Sequence, residues 1–504
     1  MLSSLPSIVG FVRPDIDWHA VAPELTLLGV GAVVTLLDIV LLERGRAYTS
    51  ALAGIGLLVA LIPIVTLAAA GDTREMFGGA FVVDDFALIL KAMFIVVAYI
   101  VVLLSTNYIA EGDYWENEYY GLLLASVMGM VLMASARDLV TIFVALELLS
   151  IPAYLMAAWR KADPRSNEAG LKYYLMGVFA SAIMLYGMSL LFGLAGDTRL
   201  AAISTAVAEE GSNPVVILGI IFVIVGFAFK VSGFPFHTWA PDTYEGAPTP
   251  VTAFLAVASK AAGFVALMQL VHVGFPDAQD IYQPLLWILA VGSMTAGNLI
   301  ALRQENIVRL MAYSGVSQAG FMLAPLAVAG DITTEDAQPA VAAVITYVLI
   351  YAAMNLGAFA VIIAVARRTA SGDIRSYAGL FKYAPGMTIL MTVFLFSLAG
   401  IPPLGGWFAK FAVFRAVVEA DTGWGYSLAA IAAVNSVIAL FYYAKVARMM
   451  WFEDTPEEAN TTSLRVPPSL VAALGLTAAA TLLFGIYPAV ITHFTDGTLI
   501  ALPY

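Results

Sequence analysis

The sequence predicts an all-α polytopic membrane protein of about fourteen transmembrane helices, and composition, apolar spacing and charge placement each point to it. The 504 residues are 61% hydrophobic and 12% charged, with a mean hydropathy of +0.88. A water-soluble chain of this length could not cover its surface with so few charges. Apolar stretches of about 20 residues, the length that crosses a bilayer, recur from end to end.

Spans are expected near 23–42, 49–70, 84–105, 119–135, 138–158, 169–195, 214–242, 248–273, 283–302, 306–328, 340–366, 385–418, 425–450 and 467–490. The first 22 residues carry Pro6, Asp15, Asp17 and His19 and lack an apolar core, so no cleavable signal peptide is expected. Basic residues sort the loops. One side holds Arg44, Arg46, Arg160, Lys161, Arg165, Arg303, Arg309, Arg367, Arg368, Arg375, Lys382, Arg448 and Arg465; the other holds Arg13, Arg74, Arg137, Arg199 and Arg415. Thirteen against five places the first set in the cytoplasm and both termini outside.

Two spans look broken, one at Gly233 and Pro235, the other at Gly400, Pro402 and Pro403. Proline removes a helix hydrogen bond and clashes with the preceding turn. Unwound backbone is tolerated at membrane depth only where protein or water satisfies it. A proline kink explains either break alone. A matched pair five spans apart, each near a lysine, points to two inverted five-helix repeats with helices 7 and 12 broken. The expected organisation is 1–118 for helices 1–3, 119–273 for the first repeat, 283–452 for the second, and 453–504 for the last helix.

Four charges inside spans carry the argument: Glu147, Lys230, Lys260 and Lys410. Each costs about 2.5–3.5 kcal/mol at the bilayer centre even on a lenient scale. Burial disfavours a charged lysine and a nearby carboxylate restores it. A lysine held between the two can pass protons. Glu147 is the one acid read as deep in a span, so it is expected to pair with a lysine. A structural ion pair explains Glu147 with one lysine but not two further lysines without acids. Lys91 is expected either to pair with Asp84 or Asp85 or to lie on a proton path. His237 could pass protons or hydrogen-bond unwound backbone. Tyr114, Trp115, Tyr119, Tyr120, Trp239 and Trp451 read as interfacial aromatics.

The chain has no cysteine, which excludes disulfides and cysteine-held iron–sulfur clusters. No nucleotide or zinc motif is present. The net charge of −12 comes without a basic run, so no nucleic-acid partner is expected.

The run from Phe143 to Tyr154, the stretch from Phe236 through Tyr244-Glu245-Gly246-Ala247-Pro248 to Leu255, and the run from Leu398 to Phe411 resemble signatures of the antiporter-like subunits of respiratory complex I. The Tyr244–Pro248 form resembles its N-type members. M-type members usually carry glutamate where Lys410 stands, and L-type members are longer. The resemblance covers roughly 119–450; the first three helices rest on hydropathy.

The resemblance implies a proton-translocating, non-redox subunit of a bacterial inner-membrane NADH–quinone oxidoreductase. Glu147 and Lys230 would be its input-side ion pair, Lys260 the connecting residue and Lys410 the exit-side lysine. FMN, iron–sulfur clusters and quinone are expected on partner subunits, and no cofactor or metal on this chain. Neighbours of M and K type, the lateral helix of L, and the lipid bilayer would surround it. The alternatives are an Mrp-type cation/proton antiporter subunit, a membrane hydrogenase subunit, or a scaffold whose charges lock helix packing.

Overall fold

The computed structural model describes residues 15–41, 46–111, 116–329, 338–455, 464–496, 498, 500 and 501. Pro6, Arg13, Arg44, Tyr114 and Trp115 lie outside the described residues. Helices run in the order α1 (Ala22–Leu41), α2 (Arg46–Ala70), α3 (Asp85–Ala110), α4 (Glu116–Ser135), α5 (Leu139–Ala157), α6 (Pro164–Ala195), α7 (Leu200–Glu210), α8 (Pro214–Lys230) and α9 (Trp239–Gly246). Then come α10 (Thr249–Phe254), α11 (Lys260–Gln269), α12 (Gln279–Ala301), α13 (Ile307–Leu326), α14 (Gln338–Thr369) and α15 (Leu380–Tyr383). The chain closes with α16 (Pro385–Ala399), α17 (Gly405–Glu419), α18 (Gly423–Phe452), α19 (Pro468–Ile486) and α20 (Ala489–Thr495). Among the described residues, ten helices are long and apolar enough to cross a membrane.

Local chemistry starts many of these helices. Asp84, Asp138, Asp163, Asn213, Asn306 and Thr422 each accept a backbone N–H from the first turn that follows, as N-caps do. Two pieces of structure have no counterpart in the sequence reading. A hairpin pairs Arg74–Met76 with Phe81–Val83, and α7 packs between spans against the turn at Leu270–Gly274. Both are short and lie between apolar runs, where hydropathy carries no signal.

The segment Thr249–Gly274 is one continuous helical path, fully buried along its apolar stretch. Within it, π turns at Leu255–Ser259 and Leu270–Gly274 flank α11. It is apolar on all sides because other helices surround it. The long α14 is almost as buried and packs along α10, α13 and α17.

Both expected breaks are present. The first separates α8 from α9 across Val231–Thr238, and the second separates α16 from α17 across Gly400–Leu404. Gly400 takes the left-handed backbone (φ 91°) that glycine allows without strain. In the first break that conformation falls on Ser232 (φ 59°) rather than Gly233. Gly233 instead donates its N–H to the Ala228 carbonyl at 2.7 Å.

The second break leaves no room at Gly406, where an added Cβ would sit 1.7 Å from the Ser397 carbonyl oxygen. Gly406→Ala must therefore push α17 off α16. A loss of about 1–3 kcal/mol is expected, read as earlier thermal unfolding in mild detergent; an unchanged midpoint would contradict this packing.

Candidate functional site

Lys230 is the last residue of α8 and is 3% exposed. Its Nζ donates to Ser150 Oγ at 2.9 Å and lies 3.4 Å from the Tyr173 hydroxyl. The expected Glu147–Lys230 ion pair is not made: no ion pair among the described residues includes either side chain. Ser150, three residues beyond Glu147 on the same face of α5, takes the ammonium instead. Glu147 Oε1 is buried without a hydrogen-bond partner, within electrostatic reach of Lys230, Tyr154 and Tyr173.

Lys410, in the second turn of α17, reaches back across the second break. Its Nζ donates to the Ala399 carbonyl at 2.8 Å and sits 4.8 Å from the Phe321 ring centre. Ala399 is the last residue of α16. Lys410 thus places its ammonium at the C-terminal end of a half-helix, whereas Lys230 ends its own half-helix and sends its ammonium to hydroxyls of α5 and α6. Unpaired carbonyls there carry partial negative charge and favour a cation. This is how Lys410 stands buried without a carboxylate.

Lys260 begins α11, directly after a π turn. Its Nζ donates to the Gly315 carbonyl at 2.6 Å. Glycine leaves room for that approach, since a Cβ at Gly315 would lie 3.1 Å from Nζ. Gly263, one turn on, packs against the stem of Lys230, so one face of α11 meets both lysines.

A polar chain continues from Lys260 toward Lys410. Ser314, beside Gly315, bonds the Tyr443 hydroxyl at 2.5 Å. Gln318 Nε2 donates to Tyr443 at 3.3 Å and to the Leu398 carbonyl at 3.1 Å. The Tyr347 hydroxyl donates to Gln318 Oε1. Leu398 precedes the carbonyl that holds Lys410. Ser150, Tyr173, Ser314, Gln318, Tyr347 and Tyr443 went unassigned in the sequence reading. Uncharged polar residues in a span are common, and only contact distinguishes these from the rest.

His237 is 6% exposed, and its Nδ1 has no partner. It lies in the first break between the Phe234 and Tyr313 rings, and both sequence readings of it stand.

Lys91 pairs with Glu24 of α1 at 2.7 Å, not with Asp84 or Asp85. Asp84 is already taken: it caps α3 through Ala87, accepts Arg137 Nη2 at 2.8 Å and accepts the Ala501 N–H at 2.9 Å. Glu147 is half-buried in mid-helix, while two acids at helix starts are more enclosed, Glu24 at 3% and Asp84 at 4% exposed. Arg137, read as a loop residue, is fully buried.

Three of the aromatics read as interfacial belong to the interior. Tyr119 and Tyr120 are fully buried. Trp239 stacks on Tyr173 with ring centres 4.4 Å apart and donates its indole N–H to the Phe229 carbonyl at 3.0 Å. At the break that carbonyl also accepts the Ser232 N–H at 3.0 Å, so the indole shares it with the unwinding backbone.

The model of the NADH:quinone oxidoreductase/Mrp antiporter transmembrane family matches residues 136–438. A protein of Trichlorobacter lovleyi named NADH-quinone oxidoreductase subunit N is 40% identical over 484 residues, covering 95% of this chain and 96% of that protein. A chain in the structure of respiratory complex I from Thermus thermophilus with bound aureothin superposes with a TM-score of 0.78 at 30% identity, covering 94% of this chain and 100% of that one. A chain of the Mrp complex from Dietzia sp. shares the fold, with a TM-score of 0.83 at 19% identity over 95% of this chain and 97% of that one. With its half-helices, buried lysines and these matches, the chain belongs to the NADH:quinone oxidoreductase/Mrp antiporter transmembrane family and is a multi-pass membrane protein.

Proposed function

We propose that this chain is a proton-translocating membrane-arm subunit of a bacterial NADH–quinone oxidoreductase, of the subunit N kind. The observation that carries this is the series Lys230, Lys260 and Lys410, each buried on a backbone or hydroxyl acceptor, with polar side chains running between the last two. The likeness to the Trichlorobacter protein and the Thermus complex I chain supports it. In this reading residues 119–273 and 283–452 are two inverted five-helix units within about fourteen crossings. The Lys/Arg-rich loops face the cytoplasm and both termini face outward.

Electron transfer occurs on partner subunits, which would hold FMN, iron–sulfur clusters and the quinone site. The neighbours are of M and K type, with the lateral helix of an L-type subunit along the flank. Moving a proton against the membrane potential costs about 2.3 kcal/mol per 100 mV, so the driving change comes from those partners. Lys230 takes a proton and moves between Ser150 and the free carboxylate of Glu147. The proton passes to Lys260, then along Ser314, Tyr443 and Gln318 to Lys410, and leaves outward. Because glutamine keeps the shape and polar reach that alanine removes, Glu147→Gln is expected to slow coupled turnover less than Glu147→Ala. Equal losses in assembled complex would contradict that.

The test is to tag the chain in its native membrane, purify it in mild detergent and assay the eluate for NADH–quinone reductase activity. A large assembly with flavin and iron–sulfur signals supports the reading. The fold shared with the Mrp complex favours one alternative, a cation/proton antiporter subunit. A chain that emerges only with other multi-span proteins and exchanges sodium for protons would establish it.

A further inference from the structure

The short helix α9 follows the first break and holds the surroundings of Lys230. Its first residue, Trp239, stacks on the Tyr173 ring and donates to the Phe229 carbonyl. Tyr173 neighbours the Lys230 ammonium, and Phe229 is the residue before Lys230. A shift of α9 therefore moves what Lys230 touches. A helix of 8 residues is too short to hold its own place, since isolated helices of that length are marginal.

Charge on neighbouring helices fixes it. Asp242, one turn after Trp239, meets a different helix with each oxygen. Its Oδ2 accepts from Lys172 Nζ of α6 at 2.7 Å, and its Oδ1 accepts from Arg309 Nη1 of α13 at 2.8 Å. The same Nη1 donates to Glu245 Oε2 at 2.9 Å. Glu245 Oε1 accepts from Asn306 Nδ2 at 3.2 Å, and Asn306 is the N-cap of α13. Single exposed ion pairs contribute little, but several charges sharing one geometry count for more. Here one guanidinium nitrogen joins two carboxylates of one short helix.

Helices α12 and α13 grip the break as well. Ser293 Oγ of α12 accepts the Phe234 N–H at 2.8 Å. A Cβ at Gly292 would lie 2.7 Å from the Phe234 ring, so glycine lets that ring in. The Tyr313 ring of α13 lies 6.2 Å from the His237 ring. Roughly two turns beyond Arg309, α13 presents the Gly315 carbonyl that accepts from Lys260. One helix thus carries both the hold on α9 and the acceptor for Lys260.

We infer that Arg309 is a positioning residue for proton transfer between Lys230 and Lys260: it clamps α9 to α13, so that the neighbours of Lys230 and the carbonyl that holds Lys260 keep one spacing. Arg309 bonds neither lysine. Protons pass only over hydrogen-bond distances, directly or through one water, so a displacement of about 1 Å at either end is costly. This rests on the proton-translocation reading above.

The experiment uses the intact complex in sealed vesicles and measures NADH-driven proton translocation per assembled complex. Arg309→Gln is expected to lower it by about tenfold, with NADH oxidation by a soluble artificial acceptor unchanged. Nη1 alone meets both carboxylates, so one ammonium can stand in for it, and Arg309→Lys is expected to recover most of the loss. A role confined to packing would lower subunit content or the thermal midpoint and leave translocation per assembled complex as it was.

Wild-type translocation in assembled Arg309→Gln overturns the clamp, and so does Arg309→Lys no better than Arg309→Gln. If Arg309→Gln does not assemble, Glu245→Gln decides. It removes a charge that Arg309 meets and keeps an acceptor for Asn306; wild-type translocation there overturns the clamp, and a several-fold loss supports it. Lys260→Ala separates the two levels. If it stops translocation while Arg309→Gln is wild type, only the clamp fails. If Lys260→Ala itself translocates normally, the relay reading fails.

Discussion

Lys230→Ala is expected to lower coupled proton translocation by at least about tenfold, with NADH oxidation by a soluble artificial acceptor unchanged in the same preparation. Lys230 stands at the end of α8, held by Ser150 and Tyr173. Removing it leaves two hydroxyls, and an unperturbed tyrosine ionises only near pH 10 while serine does not titrate usefully in water. No basic group then remains beside Glu147 to take up a proton and hand it on toward Lys260.

Lys230→Arg sharpens the result. Arginine keeps a cation at the C-terminal end of the half-helix, so a role limited to packing or to charge at that end is preserved. Its guanidinium does not deprotonate in proteins. The complex is therefore expected to assemble with Lys230→Arg and still fail to pump. Proton-to-electron stoichiometry in vesicles, with assembly measured by subunit content, checks both variants. Wild-type stoichiometry in either would remove Lys230 from the proton path.

Arg137→Met is expected to destabilise the chain by about 3–5 kcal/mol, since it strands a buried carboxylate. Arg137 is fully buried; its Nη2 donates to Asp84 at 2.8 Å and its Nη1 to the Ala136 carbonyl at 3.2 Å. Asp84 in turn holds the start of α3 and the backbone at Ala501. Three distant parts of the chain meet at one ion pair.

The double variant Arg137→Met with Asp84→Asn removes both charges and keeps an N-cap acceptor. It is expected to recover most of the loss. Folded chain per membrane and thermal unfolding in detergent give the readouts. A double variant no better than the single one would show that the pair matters for its hydrogen bonds rather than its charge.

Much of this protein was legible in its residues. Helices follow apolar runs because a bilayer-spanning segment must satisfy its own backbone, and both breaks follow proline. Lys230, Lys260 and Lys410 stood out because charge in an apolar run is rare and costly. Their burial on α8, α11 and α17 agrees with that.

Pairing was not legible. Glu147 and Lys230 form the natural couple by charge, yet Ser150 holds the ammonium, because a helix face offers several acceptors and rotamers choose among them. Glu24 reads as a residue at the start of a span, and Lys91 as a neighbour of Asp84. Packing brings Glu24 and Lys91 together instead, since Asp84 is filled by Arg137. Trp239 has interfacial chemistry by type, but the break beside it supplies the Phe229 carbonyl that draws it inside.

The sequence by itself determined the membrane, the helices, the breaks and the lysines, since each follows from local hydropathy, proline geometry or the cost of a buried charge. Only the tertiary structure decided what each charge touches, which tyrosines and glutamines join the lysines, and where polar groups stand unmet. Those depend on which faces of distant helices meet, and residues more than 100 positions apart, such as Ser314 and Tyr443, leave no mark of their contact in either local stretch.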